Sequence, residues 1–151
     1  MNRLLFYKIK LKKLIKEREA KILIIAGGQN DKKVLMDLGF KNVTISNLDT
    51  RMNENEYKPY KWSFQDAENL TFKDEEFDYA IIHQALHHCK SPHRALLEMY
   101  RVSKKGAFVT VDAYNNEEEK KRMFSWNLTA KTILSTGQWK SLLMLLKKFY
   151  Y

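Results

Sequence analysis

Apolar and polar positions follow two rhythms along this chain. Short apolar runs at residues 21–26, 42–46, 61–64, 77–82 and 107–111 have the length and β-branched content of buried strands. Between them the spacing turns helical. Leu4, Tyr7, Leu11, Leu14, Ile15 and Arg18 recur at helical intervals over residues 3–19, with lysines between them. Asn30 or Asp31 can cap a helix running to about Leu38, where Gly39 suits a C-terminal stop. Residues 49–60 are polar and read as a loop or a short helical turn. Ser91-Pro92 reads as a helix start, since serine caps and proline is tolerated in the first turn. That helix should run to about Ser103, burying Leu96, Leu97 and Tyr100, with Gly106 in the turn that follows. From Asn116 the pattern is helical again, broken near residues 135–137 and finishing with a helix over 141–151. Strands alternating with helices predict an α/β fold with a doubly wound, mostly parallel sheet, because parallel neighbours need crossover connections.

Composition narrows the class. The 151 residues suit one domain, and 44% hydrophobic with 13% aromatic content excludes a disordered chain. The single cysteine, Cys89, cannot form an internal disulfide. The longest apolar run falls far short of the roughly 20 residues of a membrane span. Lysines at 8, 10, 12 and 13 interrupt the N-terminal apolar residues, which argues against a secretory signal. A cytoplasmic domain is the expectation. The net charge of +9 first suggests nucleic acid or an anionic surface as partner. By segment, however, residues 1–20 carry +5 and residues 131–151 carry +4, while everything between is balanced. The charge belongs to the ends, which disfavours nucleic acid as the partner of the central part. The basic end helices either pack on the sheet or touch an anionic surface.

In a sheet of this kind ligands bind outside the carboxyl ends of the strands, where the strand order reverses. The first strand ends in Ala26-Gly27-Gly28, which serves either as a tight turn or as a ligand loop. About 20 residues on, where a ribose-binding acid is expected, stand Asn47 and Asp49. Either can hydrogen-bond vicinal hydroxyls, and either can equally cap a turn. After the third strand, Asp66 in Gln65-Asp66-Ala67-Glu68 can accept from an exocyclic amine or sit in a surface turn.

Six fragments then fall in register. They are the glycine loop, Asp66-Ala67-Glu68-Asn69-Leu70-Thr71-Phe72, Phe77-Asp78 with its apolar run, Leu86-His87-His88, Ser91-Pro92, and Glu98-Met99-Tyr100-Arg101-Val102 leading to Gly106. Together, residues 21–114 resemble the class I, Rossmann-like methyltransferases that use S-adenosylmethionine, of the type acting largely on small molecules. Two of the family's three loop glycines are replaced, by Ala26 and Asn30, and Ile24 stands where the family often has an acid.

The resemblance implies five strands in the order 3-2-1-4-5 with flanking helices, and S-adenosylmethionine as cofactor. Ala26, Gly27 and Gly28 would hold its methionine end, Asn47 or Asp49 the ribose, and Asp66 with Ala67 the adenine. His83, where the fourth strand opens onto the crevice, joins that set and is a candidate catalytic base, as is Asp112. His87 and His88 are expected to be structural, and no metal is implied. The family's usual last two strands have no counterpart in residues 115–151, so the core reads as truncated after the fifth strand. Its exposed edge would need a dimer partner or a covering segment. Three parts follow: a basic amphipathic helix (1–20), the core (21–114) and a helical C-terminal segment (115–151). The acceptor is expected to be a small molecule or glycan precursor, for which Trp126, Trp139 and a helix over 142–149 are the remaining specificity candidates. The alternatives are a non-catalytic cofactor-binding or interaction module and, further off, a nucleic-acid-binding protein.

Overall fold

The computed structural model describes residues 2–126, 130–144 and the backbone of 149–150. One parallel sheet runs in the order β3-β2-β1-β4-β5-β6. Its strands are β1 (Ile22–Ile24), β2 (Val43–Asn47), β3 (Lys61–Phe64), β4 (Phe77–His83), β5 (Ser103–Thr110) and β6 (Phe149–Tyr150). The first five stand in the expected order. β1 lies at the centre, pairing with β2 on one side and β4 on the other, so the strand order reverses there.

Successive residues of β1 point to opposite faces, and each face has its own core. Ile22 and Ile24 join Ile45, Ile81 and Phe108 beneath α1 (Arg3–Leu14) and α2 (Gln29–Asp37), which contribute Tyr7, Leu11, Val34 and Leu35. Leu23 and Ile25 join Ala80, Ile82 and Val109 beneath α4 (Pro92–Val102) and α6 (Thr136–Met144), which contribute Ala95, Leu96, Met99, Trp139 and Leu143. The basic N-terminal helix is therefore packed on the sheet, and Trp139 is core.

Several boundaries differ from the sequence pattern. α1 ends at Leu14, because Ile15 turns extended to enter the core. Ser91 precedes α4 but makes no side-chain cap; the Glu68 carboxylate accepts from the Lys90 and Ser91 amides instead, at 3.1 and 2.9 Å. Leu97 is exposed and Met99 takes its place inside. Gly106 lies within β5, opposite Tyr79. The polar stretch before β3 contains one short helix, α3 (Glu54–Tyr57). The last helix is described as far as Met144, and Phe149–Tyr150 form β6, parallel to β5 at Ala107 and Phe108. The helix expected over 141–151 is present over 141–144 and is corrected at Phe149–Tyr150, where a strand stands, so part of the β5 edge is covered by this chain's own backbone. Residues 145–148 and the Trp126 side chain lie outside the described part. Among the described residues, no helix is long and apolar enough to cross a membrane.

Candidate functional site

The loop leaving β1 turns sharply: Ala26 adopts φ 54°, a left-handed conformation that costs a β-carbon about 1 kcal/mol. A Cβ on Gly27 would meet Ile24 Cγ2 at 2.5 Å and Ile45 Cγ2 at 3.0 Å, so this glycine serves packing. A Cβ on Gly28 would meet nothing within 4 Å. Asn47, at the end of β2, donates to the Gly27 carbonyl at 2.8 Å, and its amide oxygen accepts from the Leu48 and Asp49 N–H groups. Asn47 thus ties the loop to β2.

Two recesses flank this loop. The first, about 520 Å³, has Ala26, Asn47, Leu48, Asp66, Ala67 and Ala85 among its walls. Asp66 accepts from the Glu68 amide through Oδ1 at 2.9 Å, while Oδ2 has no protein partner among the described residues. Asp49 lies outside the recess. Arg51 grips both of its oxygens, at 2.9 and 2.6 Å, and these bonds bring its pKa down to about 2.

The second recess, about 380 Å³, is bounded by Arg3, Gly28, Asn30, Asp31, His83 and Gln84. Here α1 reaches the site. Tyr7 stacks flat on His83 with ring centroids 3.9 Å apart, and its hydroxyl donates to Asp31 Oδ1 at 2.9 Å. Asp31 Oδ2 accepts from the Gly28 amide at 2.9 Å, capping α2. The carboxyl is only 5% exposed, and burial raises its pKa to about 6 against the pull of these hydrogen bonds. Burial also raises Tyr7 well above the ordinary phenol value, so it remains a donor. His83 Nδ1 lies 2.7 Å from Thr110 Oγ1. Burial first, and then the charge of Arg3, lowers His83 to about 4, so its imidazole is neutral at physiological pH.

Gln84, also left-handed at φ 54°, directs its amide nitrogen to both oxygens of Asp112, at 2.9 and 3.1 Å. Asp112 is further paired with Arg3 at 3.3 Å. His87 is buried against His88, and its carbonyl accepts from the Lys131 and Thr132 amides. His88 itself lines the first recess. Among the described residues, no group of three His, Cys, Asp or Glu side chains is placed to hold a metal ion.

The sequence pattern of the methyltransferase domain matches residues 26–111, more than half of the chain. The chain belongs to this methyltransferase family. No curated protein matches it in sequence. Solved structures carry the fold comparison further. A methyltransferase candidate of Bacillus halodurans superposes with a TM-score of 0.74 at 19% identity, over 92% of this chain and 67% of that one. The YcgJ protein of Bacillus subtilis gives 0.74 and 19% over 96% and 67%. An S-adenosylmethionine-dependent methyltransferase of Thermotoga maritima, a candidate histamine N-methyltransferase, gives 0.69 and 26% over 95% and 70%.

In this methyltransferase domain the crevice gathers Ala26, Gly28, Asn47, Asp66, Ala67 and His83 around the β1 loop. Gly27 lies beneath it, Asp49 stands aside with Arg51, and Asp112 sits beyond His83 at the end of β5. Arg3, Asp31 and Gln84 line the second recess and Tyr7 supports it, and the sequence pattern marks none of the four as a ligand-site residue. Asp31 was legible in part, since an acid three residues after a helix start is a capping-box spacing. The family motif around Glu98 and Arg101 proves to be a clamp. Arg101 bonds both Glu98 oxygens, the carbonyls of Leu70 and Phe72, and Asp74, all within 3.0 Å. Glu98 in turn accepts from the Leu70 amide at 2.7 Å. This clamp fixes the helix-free crossover from β3 to β4, the segment that carries Asp66 near its start.

Proposed function

We propose that this domain transfers the methyl group of S-adenosylmethionine to a small-molecule or glycan-type acceptor. The observation that supports it most directly is the pair of recesses at the strand reversal, with Asp66 Oδ2 open in one and an unobstructed Gly28 in the other. Their residues fit the cofactor. Asp66 would accept from the adenine amino group, and Leu48, Ala67 and Ala85 offer apolar walls to a base. Asn47, which lines the recess, is better placed for the ribose than Asp49, which would first have to leave Arg51. Gly28 and the start of α2 would face the methionine end, where α-helical N–H groups favour a carboxylate.

When bound, the cofactor supplies an electrophilic methyl group on a sulfonium centre. What the protein must add is alignment of the acceptor and, for a hydroxyl or amine, a place for its proton. His83, with a pKa near 4 and Nδ1 engaged with Thr110, is a weak base and better suited to positioning. Asp112, held by Arg3 and Gln84 beyond His83, is the other candidate to receive a proton.

A second reading, a module that binds cofactor without turnover, is favoured by one feature. The carboxylate nearest the ribose position, Asp49, is committed to Arg51. Calorimetric titration with S-adenosylmethionine tests the shared premise, and Asp66→Ala should weaken binding at least tenfold. An unchanged affinity would remove the adenine role of Asp66, and no binding at millimolar ligand would reject the cofactor. Binding without methyl transfer to any acceptor would favour the second reading.

A further inference from the structure

A third cavity, about 540 Å³, lies between α1 and the carboxyl half of β5. It shares Arg3, His83 and Gln84 with the recess beside Gly28, so the two meet at the end of β4. Away from that junction it is lined by Phe6 and Leu14 from α1, by Phe108 and Thr110 of β5, and by the edges of Val109 and Val111, whose side chains also pack into the core under α4 and α6. Lys10 and Lys13 are its charged side chains away from the junction, and no acid lines it among the described residues. The charges are also unspent. Lys8 on the same helix is paired with Asp37, but neither Lys10 nor Lys13 has an acidic partner among the described residues. Lys10 lies 5.3 Å over the Phe6 ring, and Phe6 itself is 41% exposed.

An apolar cavity with a purely cationic rim discriminates by charge as well as by shape. A neutral apolar ligand would gain burial alone, whereas an amphiphile with an acidic head would also pair with ammonium groups that now face water. We infer that this cavity receives an anionic amphiphile, with its acidic head at Lys10 and Lys13 and its apolar body along β5. Such a ligand points its far end at His83 and Gln84, and one that carries a hydroxyl or amine there, to bond the methyl and give up its proton, is the acceptor class for this site. That assignment rests on the methyl-transfer reading, while the binding itself does not.

The test uses decanoate and decan-1-ol, which share a chain and differ in charge, titrated calorimetrically into the protein without cofactor. Decanoate is expected to bind at least tenfold more tightly than decan-1-ol. Lys10→Glu combined with Lys13→Glu should reduce decanoate affinity at least tenfold while leaving the melting temperature and S-adenosylhomocysteine binding unchanged. Equal binding of the two probes, absence of decanoate binding, or an unaffected double variant would each overturn the inference. Because the probe titration is run without cofactor, loss of cofactor binding would sink the methyl-transfer reading and leave the cavity assignment standing.

Discussion

Gly27 and Gly28 are neighbours with opposite constraints. A Cβ on Gly27 would overlap Ile24, whose side chain is fully buried and has no room to retreat. Gly27→Ala should therefore cost about 2 kcal/mol through overpacking, read in urea denaturation. Gly28→Ala should cost less than about 1 kcal/mol, the usual difference at a helix N-cap. Its methyl would instead enter the recess and weaken S-adenosylhomocysteine binding. Equal stability losses in the two variants would contradict this division.

The buried acid and imidazole make opposing demands on pH. Asp31 binds its proton more tightly folded than unfolded, so between about pH 4 and 6 its contribution to stability falls as pH rises. His83 resists protonation in the fold, so between about 4 and 6.5 its contribution rises with pH. The two windows overlap and largely offset one another. His83→Phe, which keeps a ring against Tyr7, removes one side of this balance. The stability of the variant relative to the parent should rise as pH falls from 6.5 to 4, and parallel profiles would refute the assignment. Tyr7→Phe removes the donor that favours the Asp31 carboxylate. It should cost about 1–2 kcal/mol at pH 7 and less at pH 4.5, where the acid is neutral. Nuclear magnetic resonance titration should place the Asp31 pKa in that variant above about 6.

Among the elements, those with a single dominant local rhythm were legible. β1, β2, β4 and α2 were readable because their apolar residues face two cores and their ends carry ordinary stop chemistry. Where long-range contact decides, the sequence pattern fell short. Ser91 resembles a helix cap, yet Glu68, 23 residues earlier, takes the amide. Tyr7 reads as a core residue of a basic helix, and only the packing of α1 on α2 brings its hydroxyl to Asp31. Asn47 sits at the expected position, but its commitment to the Gly27 carbonyl depends on the register of β2 against β1. Arg101 shows how an element acts at a distance. Arg101→Lys keeps the charge but cannot satisfy the same carboxylates and carbonyls together. It should lower stability by about 2 kcal/mol and also weaken cofactor binding through the loosened Asp66 segment. Loss of stability with undiminished cofactor affinity would separate the clamp from the site.

For the whole molecule, the alternation of strands and helices made a parallel sheet readable, while the order 3-2-1-4-5 followed from the resemblance of residues 21–114 to the methyltransferases. The short β6 was not, since two residues carry no periodicity. The charge of +9 takes on a local meaning: α1 packs its apolar side on the sheet and presents Lys10 and Lys13 to a cavity that meets the crevice at His83. The central claim is that the crevice around the β1 loop is a cofactor site. Mapping backbone amide shifts during titration with S-adenosylhomocysteine tests it most directly. The largest changes should fall at residues 26–31, 47–48, 66–68 and 83–85, and saturate together. Changes confined to other parts of the chain, or none at millimolar ligand, would contradict it.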